Sequence, residues 1–126
     1  LLDQSGAELI QCTPEVFAKI SYRDRPDGLL AVAPQLHLAL KDLPLKKNPF
    51  FVIAESIEKP GNLGTILRSC DAAGVDAVIV CDPTTDIHNP NVVRSSVGTL
   101  FTLPVLEASS QDTLSFLKSH SISIVA

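Results

Sequence analysis

Glu58-Lys59-Pro60-Gly61-Asn62-Leu63-Gly64-Thr65-Ile66-Leu67-Arg68 joins an apolar run, Phe50 to Ala54, to an amphipathic segment. The run reads as a strand, Pro-Gly-Asn as a tight loop, and the residues beyond it as the start of a helix. Asn62 is a good N-cap and Gly61 permits an unusual backbone angle. Arg68 lies one turn beyond Gly64 on the same helical face. Side chains on a helix lean towards its N-terminus, so Arg68 is expected to fold back over the bare Gly64 and set its guanidinium beside the first-turn N–H groups, forming a compact anion site. A plain turn followed by a solvated arginine uses the same residues, and the string alone leaves both readings open.

Outward from this stretch the pattern alternates. The spacing predicts a strand over Phe50–Glu55, a helix over Asn62–Ala73 with Gly74 at C′, and a strand over Ala77–Cys81. Asn89-Pro90 then caps a short helix running to Val97 with Gly98 as its stop, and Leu103 to Leu106 is a third strand. Asp112 to His120 reads as a helix with Leu114 and Leu117 on one side, and Ile122 to Ala126 as the opening of a fourth strand. Near-continuous apolar strands alternating with helices imply an α/β fold, a parallel sheet with helices on both faces. Ligands of such sheets bind beyond the carboxyl ends of the strands, where both capped loops lie.

Residues 1–48 read as the end of something else. Glu8 to Cys12 is expected as a short strand, Thr13-Pro14-Glu15 starts a helix whose apolar side is Val16, Phe17 and Ile20, Arg23 to Gly28 is a turn, and Leu29 to Ala33 is a strand. His37 to Asn48 reads as a helical turn and connector. That is too little for an independent core.

Of the 126 residues, 45% are hydrophobic, yet no apolar run approaches the ~20 residues of a membrane span. No signal-peptide pattern opens the chain, and Leu1 is not expected to be a native start. Cys12, Cys70 and Cys81 are an odd count at wide spacings, which fits neither a disulfide framework nor a zinc site and points to reduced thiols in a cytoplasmic setting. His37, His88 and His120 are scattered, which argues against a metal centre. Residues 49–126 carry four cations against eight acids, the whole net charge of −4. Three of those cations, Lys59, Arg68 and Arg94, fall beside the two capped loops, which suggests a focused phosphate or ribose site in place of a broad basic face. Arg94, one turn into its helix, could hold substrate phosphate or pair with Asp86. Cys70 shares the apolar face of Leu63, Ile66 and Leu67 and reads as core.

Asn62-Leu63-Gly64-Xaa-Xaa-Xaa-Arg68 followed by Ser69-Cys70-Asp71-Ala72-Ala73-Gly74-Val75 resembles the first motif of the SpoU (TrmH-like) RNA 2′-O-ribose methyltransferases, of the SPOUT class. Asn91-Val92-Val93-Arg94-Ser95-Ser96-Val97-Gly98-Thr99-Leu100-Phe101, ending in Leu103-Pro104-Val105, is similar to the Arg-x-Ser-x-Gly stretch that the family carries downstream. The resemblance implies the Rossmann-like half of an α/β-knot fold over residues 49–126, with the tail of a small α+β, ribosomal-protein-like RNA-binding domain and a connector over residues 1–48. It implies S-adenosyl-L-methionine as cofactor, ribosomal or transfer RNA as substrate, and a homodimer when full length. Arg68 and Asn62 then take the catalytic positions, with Arg94, Ser96, Gly64 and Glu58 as substrate contacts. Relatives commonly have Asp-Pro before the motif's Asn, whereas this chain has Glu58-Lys59-Pro60. The knot segments that hold the cofactor in relatives, a Gly-Xaa-Glu-Gly loop and a Ser-Leu-Asn segment, are not found in Leu1–Ala126, so the chain as given is expected to be inactive. The alternatives are a non-catalytic RNA-binding or scaffold α/β domain, and a nucleotide-binding domain, which would lack its Gly-Xaa-Gly-Xaa-Xaa-Gly fingerprint.

Overall fold

The computed structural model describes residues 6–126, which divide after Pro34 into two compact units. In the first, helix α1 spans Pro14–Ile20, with Pro14 in its first turn and the Thr13 hydroxyl accepting from Val16 N–H at 3.4 Å, as the sequence suggests. The strands expected over residues 8–12 and 29–33 do not form. A strand exists only where a neighbour takes up its N–H and C=O groups, and these described residues have none. Val16 and Ile20 remain about half exposed.

The second unit, Gln35–Ala126, holds a three-stranded parallel sheet in the order β1-β2-β3, with β1 Phe51–Glu55, β2 Ala77–Cys81 and β3 Val105–Ala108. Ala54 sits opposite Val80, and Val80 opposite Glu107. Every residue of β2 is buried because it has a strand on each side and a layer on each face. Val78 and Val80 join Leu63, Leu67, Cys70, Val92 and Leu100 beneath helices α2 (Pro60–Ala72) and α3 (Pro90–Ser96). Ala77, Ile79 and Cys81 pack on the other face with Leu106, Leu43 and Phe116 of α4 (Ser110–Ser119). Helices therefore cover both faces of a parallel sheet, the arrangement that the alternating pattern requires.

The element boundaries correct the sequence reading in several places. Helix α2 begins at Pro60, not Asn62, and its N-cap is Lys59, which makes no side-chain cap bond. Proline has its φ fixed at a helical value and no N–H to leave unsatisfied, so it takes the first position and draws Asn62 into the first turn. Gly74, at φ +71°, follows the helix as expected. Asn89 caps α3 by accepting from Asn91 N–H at 2.9 Å, but the left-handed turn that stops this helix starts at Val97, one residue before Gly98. A 3₁₀ turn at Thr99–Phe101 delays β3 to Val105. The fourth strand expected over residues 122–126 is absent among the described residues; Ile122 N–H turns back onto Leu117 O at 2.9 Å. No described helix is long and apolar enough to cross a membrane.

At the amino edge of the sheet Asp76 closes a clip. Its carboxylate accepts from Lys46 Nζ and, at 2.9 Å, from Phe50 N–H, while Asp76 N–H donates to Phe50 O at 2.8 Å. The Lys46 ammonium first, and the Phe50 N–H second, hold this carboxyl below the usual aspartate value. A depressed folded pKa contributes stability that is present above the unfolded value of about 3.9 and is lost as pH falls through the folded one. Asp76→Asn is therefore expected to lower the urea midpoint at pH 7, with the gap from the unmodified protein closing below about pH 4. A gap that persists unchanged at acid pH would assign the cost to the backbone bond alone.

Candidate functional site

Both helices on the first face begin just after strands β1 and β2, and the loops that carry them there are tied together. Thr84 Oγ1 donates to Ile57 O at 3.1 Å, and Thr85 Oγ1 donates to Glu58 O. The starts of α2 and α3 are thus held at the same carboxyl edge of the sheet. The two helices then approach closely at Gly64. A Cβ built on Gly64 would stand 2.0 Å from Ser95 Oγ and 2.7 Å from the Ser95 carbonyl carbon. Ser95 Oγ donates to Asn91 O at 2.6 Å and lies 3.4 Å from Pro60 O, so one hydroxyl stitches α3 to the first turn of α2.

Between the helices opens a cleft of about 470 Å³, walled by Pro60, Gly61 and Arg68 on one side and Asn91, Arg94, Ser95 and Val97 on the other. Arg68 and Arg94 are both exposed, and neither guanidinium has a hydrogen-bond or ion-pair partner among the described residues. Asp86, a candidate partner for Arg94, instead accepts from His88 N–H at 2.8 Å. Two unneutralised guanidinium groups on one concave surface suit a ligand with dispersed negative charge, and their planar forks match phosphate oxygens.

The other residues singled out from the sequence are distributed differently. Gly64 is buried beneath Ser95, so it sets the helix spacing and cannot meet a substrate. Ser96 is fully buried with its hydroxyl donating to Val93 O at 2.8 Å; its neighbour Ser95 faces the cleft. Asn62 and Glu58 are exposed but stand outside the cleft wall. Pro60, Gly61, Asn91, Ser95 and Val97 were not anticipated as wall residues. Asn91 and Ser95 lie i, i+4 apart on one helix face, a signal legible in the sequence once Arg94 was suspected.

A second hollow, of about 670 Å³, lies on the opposite face, against the open side of β1 and α4, where Phe51, Ile53, Leu114 and Leu117 form an aliphatic and aromatic floor. Its polar groups are largely engaged with one another. Ser110 Oγ lies 2.9 Å from Glu55 Oε1 and 2.5 Å from Asp82 Oδ2, and Cys81 Sγ donates to Thr113 Oγ1 at 3.2 Å. S-adenosylmethionine needs donors for its adenine edge and amino-acid carboxylate, and this wall offers chiefly acceptors. The described residues do not by themselves form a holder for it. His37 and His88, apart in sequence, meet edge to face with ring centroids 5.5 Å apart, although no group of three or more His, Cys, Asp or Glu among the described residues is placed to hold a metal. Cys70 lies in the core, where burial pushes its thiol up and leaves it inert.

The family model described as SpoU rRNA Methylase family matches residues 49–126. The chain is 27% identical over 121 residues to a 23S rRNA (guanosine(2553)-2'-O)-methyltransferase, RlmP, of Bacillus subtilis, covering 96% of this chain and 47% of the relative. It is 32% identical over 111 residues to a 23S rRNA (uridine(2479)-2'-O)-methyltransferase of Streptomyces viridochromogenes, covering 87% of this chain and 39% of that one. Among solved structures, the SpoU methyltransferase AviRb of S. viridochromogenes in complex with the cofactor AdoMet superposes with a TM-score of 0.81 at 28% identity, over 95% of this chain and 45% of the other. The chain thus spans less than half the length of the relatives it matches.

Proposed function

The chain belongs to the SpoU rRNA methylase family, and from that premise we propose that the protein carrying it methylates a ribose 2′-hydroxyl of RNA, ribosomal or transfer, with S-adenosylmethionine as donor. The observation that carries this reading is the pair Arg68 and Arg94, exposed and without an ion-pair partner among the described residues, on the two walls of one cleft at the carboxyl edge of the sheet.

In this reading the cleft is the substrate half of the active site. Arg68, beside the first turn of α2, holds the phosphate next to the reacting ribose and stabilises charge that develops on its 2′-oxygen. With a pKa above 12 a guanidinium is a poor base at neutral pH, so the hydroxyl proton passes to the substrate phosphate or to water. Arg94 holds a neighbouring phosphate and so fixes the register of the strand. The cofactor supplies an electrophilic methyl group, and residues outside Leu1–Ala126 complete its pocket. We assign residues 49–126 to the methyltransferase domain, and residues 1–48 to an RNA-binding domain and connector. A cytoplasmic homodimer is the form in which the protein works.

The test follows the chemistry of the product. Ribosomal or transfer RNA is incubated with the protein and methyl-labelled S-adenosylmethionine, then hydrolysed in alkali. A 2′-O-methyl group blocks cleavage at its own phosphodiester, so the label is expected in alkali-resistant dinucleotides. Label in mononucleotides would mean base methylation. RNA binding without any label would favour the scaffold alternative.

A further inference from the structure

Val97 closes helix α3 in the left-handed region, at φ +53° and ψ +37°, directly before Gly98 at φ +93°. A β-branched side chain is strained there, because its two γ-carbons crowd the backbone in a region that glycine and asparagine tolerate. Among the described residues, the other non-glycine positions at positive φ are Ser56, Asp82 and Ser121, all with short polar side chains. Burial does not compensate at Val97. The residue is 75% exposed and belongs to neither core cluster. What it does reach is the cleft, whose wall it shares with Arg68 and Arg94.

We propose that Val97 is a specificity-determining residue: its isopropyl group is the apolar surface against which an unstacked nucleoside of single-stranded RNA seats while the two guanidinium groups hold the phosphates on either side. Among the side chains that line the cleft, Pro60 is the one other apolar group; Gly61 contributes only backbone, and the rest are Arg68, Asn91, Arg94 and Ser95. A nucleotide that presents its ribose between two phosphate contacts must leave its stack, and an unstacked base or sugar face gains from an apolar partner. The strain is then kept because the side chain that relieves it, asparagine or glycine, has no such surface. This inference rests on the reading of the cleft as an RNA ribose site.

The experiment compares Val97→Asn with the unmodified protein, measuring its melting temperature and the kcat and KM for methylation of unmodified ribosomal RNA transcript. The expected result is a melting temperature higher by about 2–4 °C, a KM raised about fivefold and a kcat within about twofold, with Val97→Ile bringing KM back. Ser121→Asn, at a left-handed position away from the cleft, is expected to leave KM unchanged. A KM within twofold in Val97→Asn, or a melting temperature that falls, overturns the proposal. If Arg68→Ala and Arg94→Ala also leave transfer and RNA affinity unchanged, the reading of the cleft fails as well. If those two lose activity while Val97→Asn does not, only the role of Val97 is wrong.

Discussion

Arg68→Ala is expected to lower methyl transfer by roughly 10²-fold or more while the protein stays folded, the size of loss that follows removal of one preorganised donor from a site where charge develops. The fold should be indifferent because Arg68 is exposed and makes no hydrogen bond or ion pair among the described residues. Truncation of such a side chain changes stability by only about 0.5 kcal/mol. Arg68→Lys keeps the charge but replaces a planar fork with a point charge, so it is expected to recover little of the lost rate. The two variants together separate the explanations. A rate restored by lysine would reduce Arg68 to a general attractor of polyanion, with a loss that shrinks as salt is raised. Turnover in Arg68→Ala equal to that of the unmodified protein would remove the residue from the site altogether. Circular dichroism and a melting curve on the same samples show whether a loss belongs to the site or to the fold.

The parts of this molecule that sequence made legible are those decided by local chemistry. Apolar runs fixed β1 and β2 to within a residue, and Asn89-Pro90 and Thr13-Pro14 located two helix starts, because a cap and a fixed proline φ act within one turn. Arg68 and Arg94 were singled out by the same route, each read from its distance to a helix start, and both line the cleft. What was not legible is what depends on a neighbour distant in sequence. Residues 8–12, 29–33 and 122–126 have strand-like composition, but composition cannot say whether a partner strand is there to pair with. Asn62 looked like a cap because it has the residue type, and Pro60 two positions earlier took precedence. Ser95 and Ser96 are adjacent and chemically the same. Only the packing of α3 on α2 turns one into the cleft and buries the other.

That packing is where the second large effect is expected. Gly64 sits inside a helix, where glycine costs about 1 kcal/mol relative to alanine, so on propensity alone Gly64→Ala should stabilise the protein. The tertiary contact reverses the sign. An added methyl carbon would stand 2.7 Å from the carbonyl carbon of Ser95 as well as 2.0 Å from its hydroxyl, so rotating the serine side chain relieves only part of the clash and α3 itself must move. Overpacking of this kind costs about 1–3 kcal/mol, and a backbone contact belongs at the upper end. Gly64→Ala is therefore expected to lower the melting temperature by about 10 °C. It should also lower activity at temperatures where the protein is still folded, because moving α3 carries Arg94 away from Arg68 across the cleft. Adding Ser95→Gly removes the hydroxyl and the serine Cβ and should recover part of the stability, a coupling that a double-mutant cycle reads directly. If Gly64→Ala melts at or above the temperature of the unmodified protein, the helices are not as close as 2.7 Å implies, and Gly64 could reach the substrate after all. If stability falls but transfer below the melting temperature does not, the spacing of α2 and α3 matters for the fold alone, and the two arginines need not act as a pair.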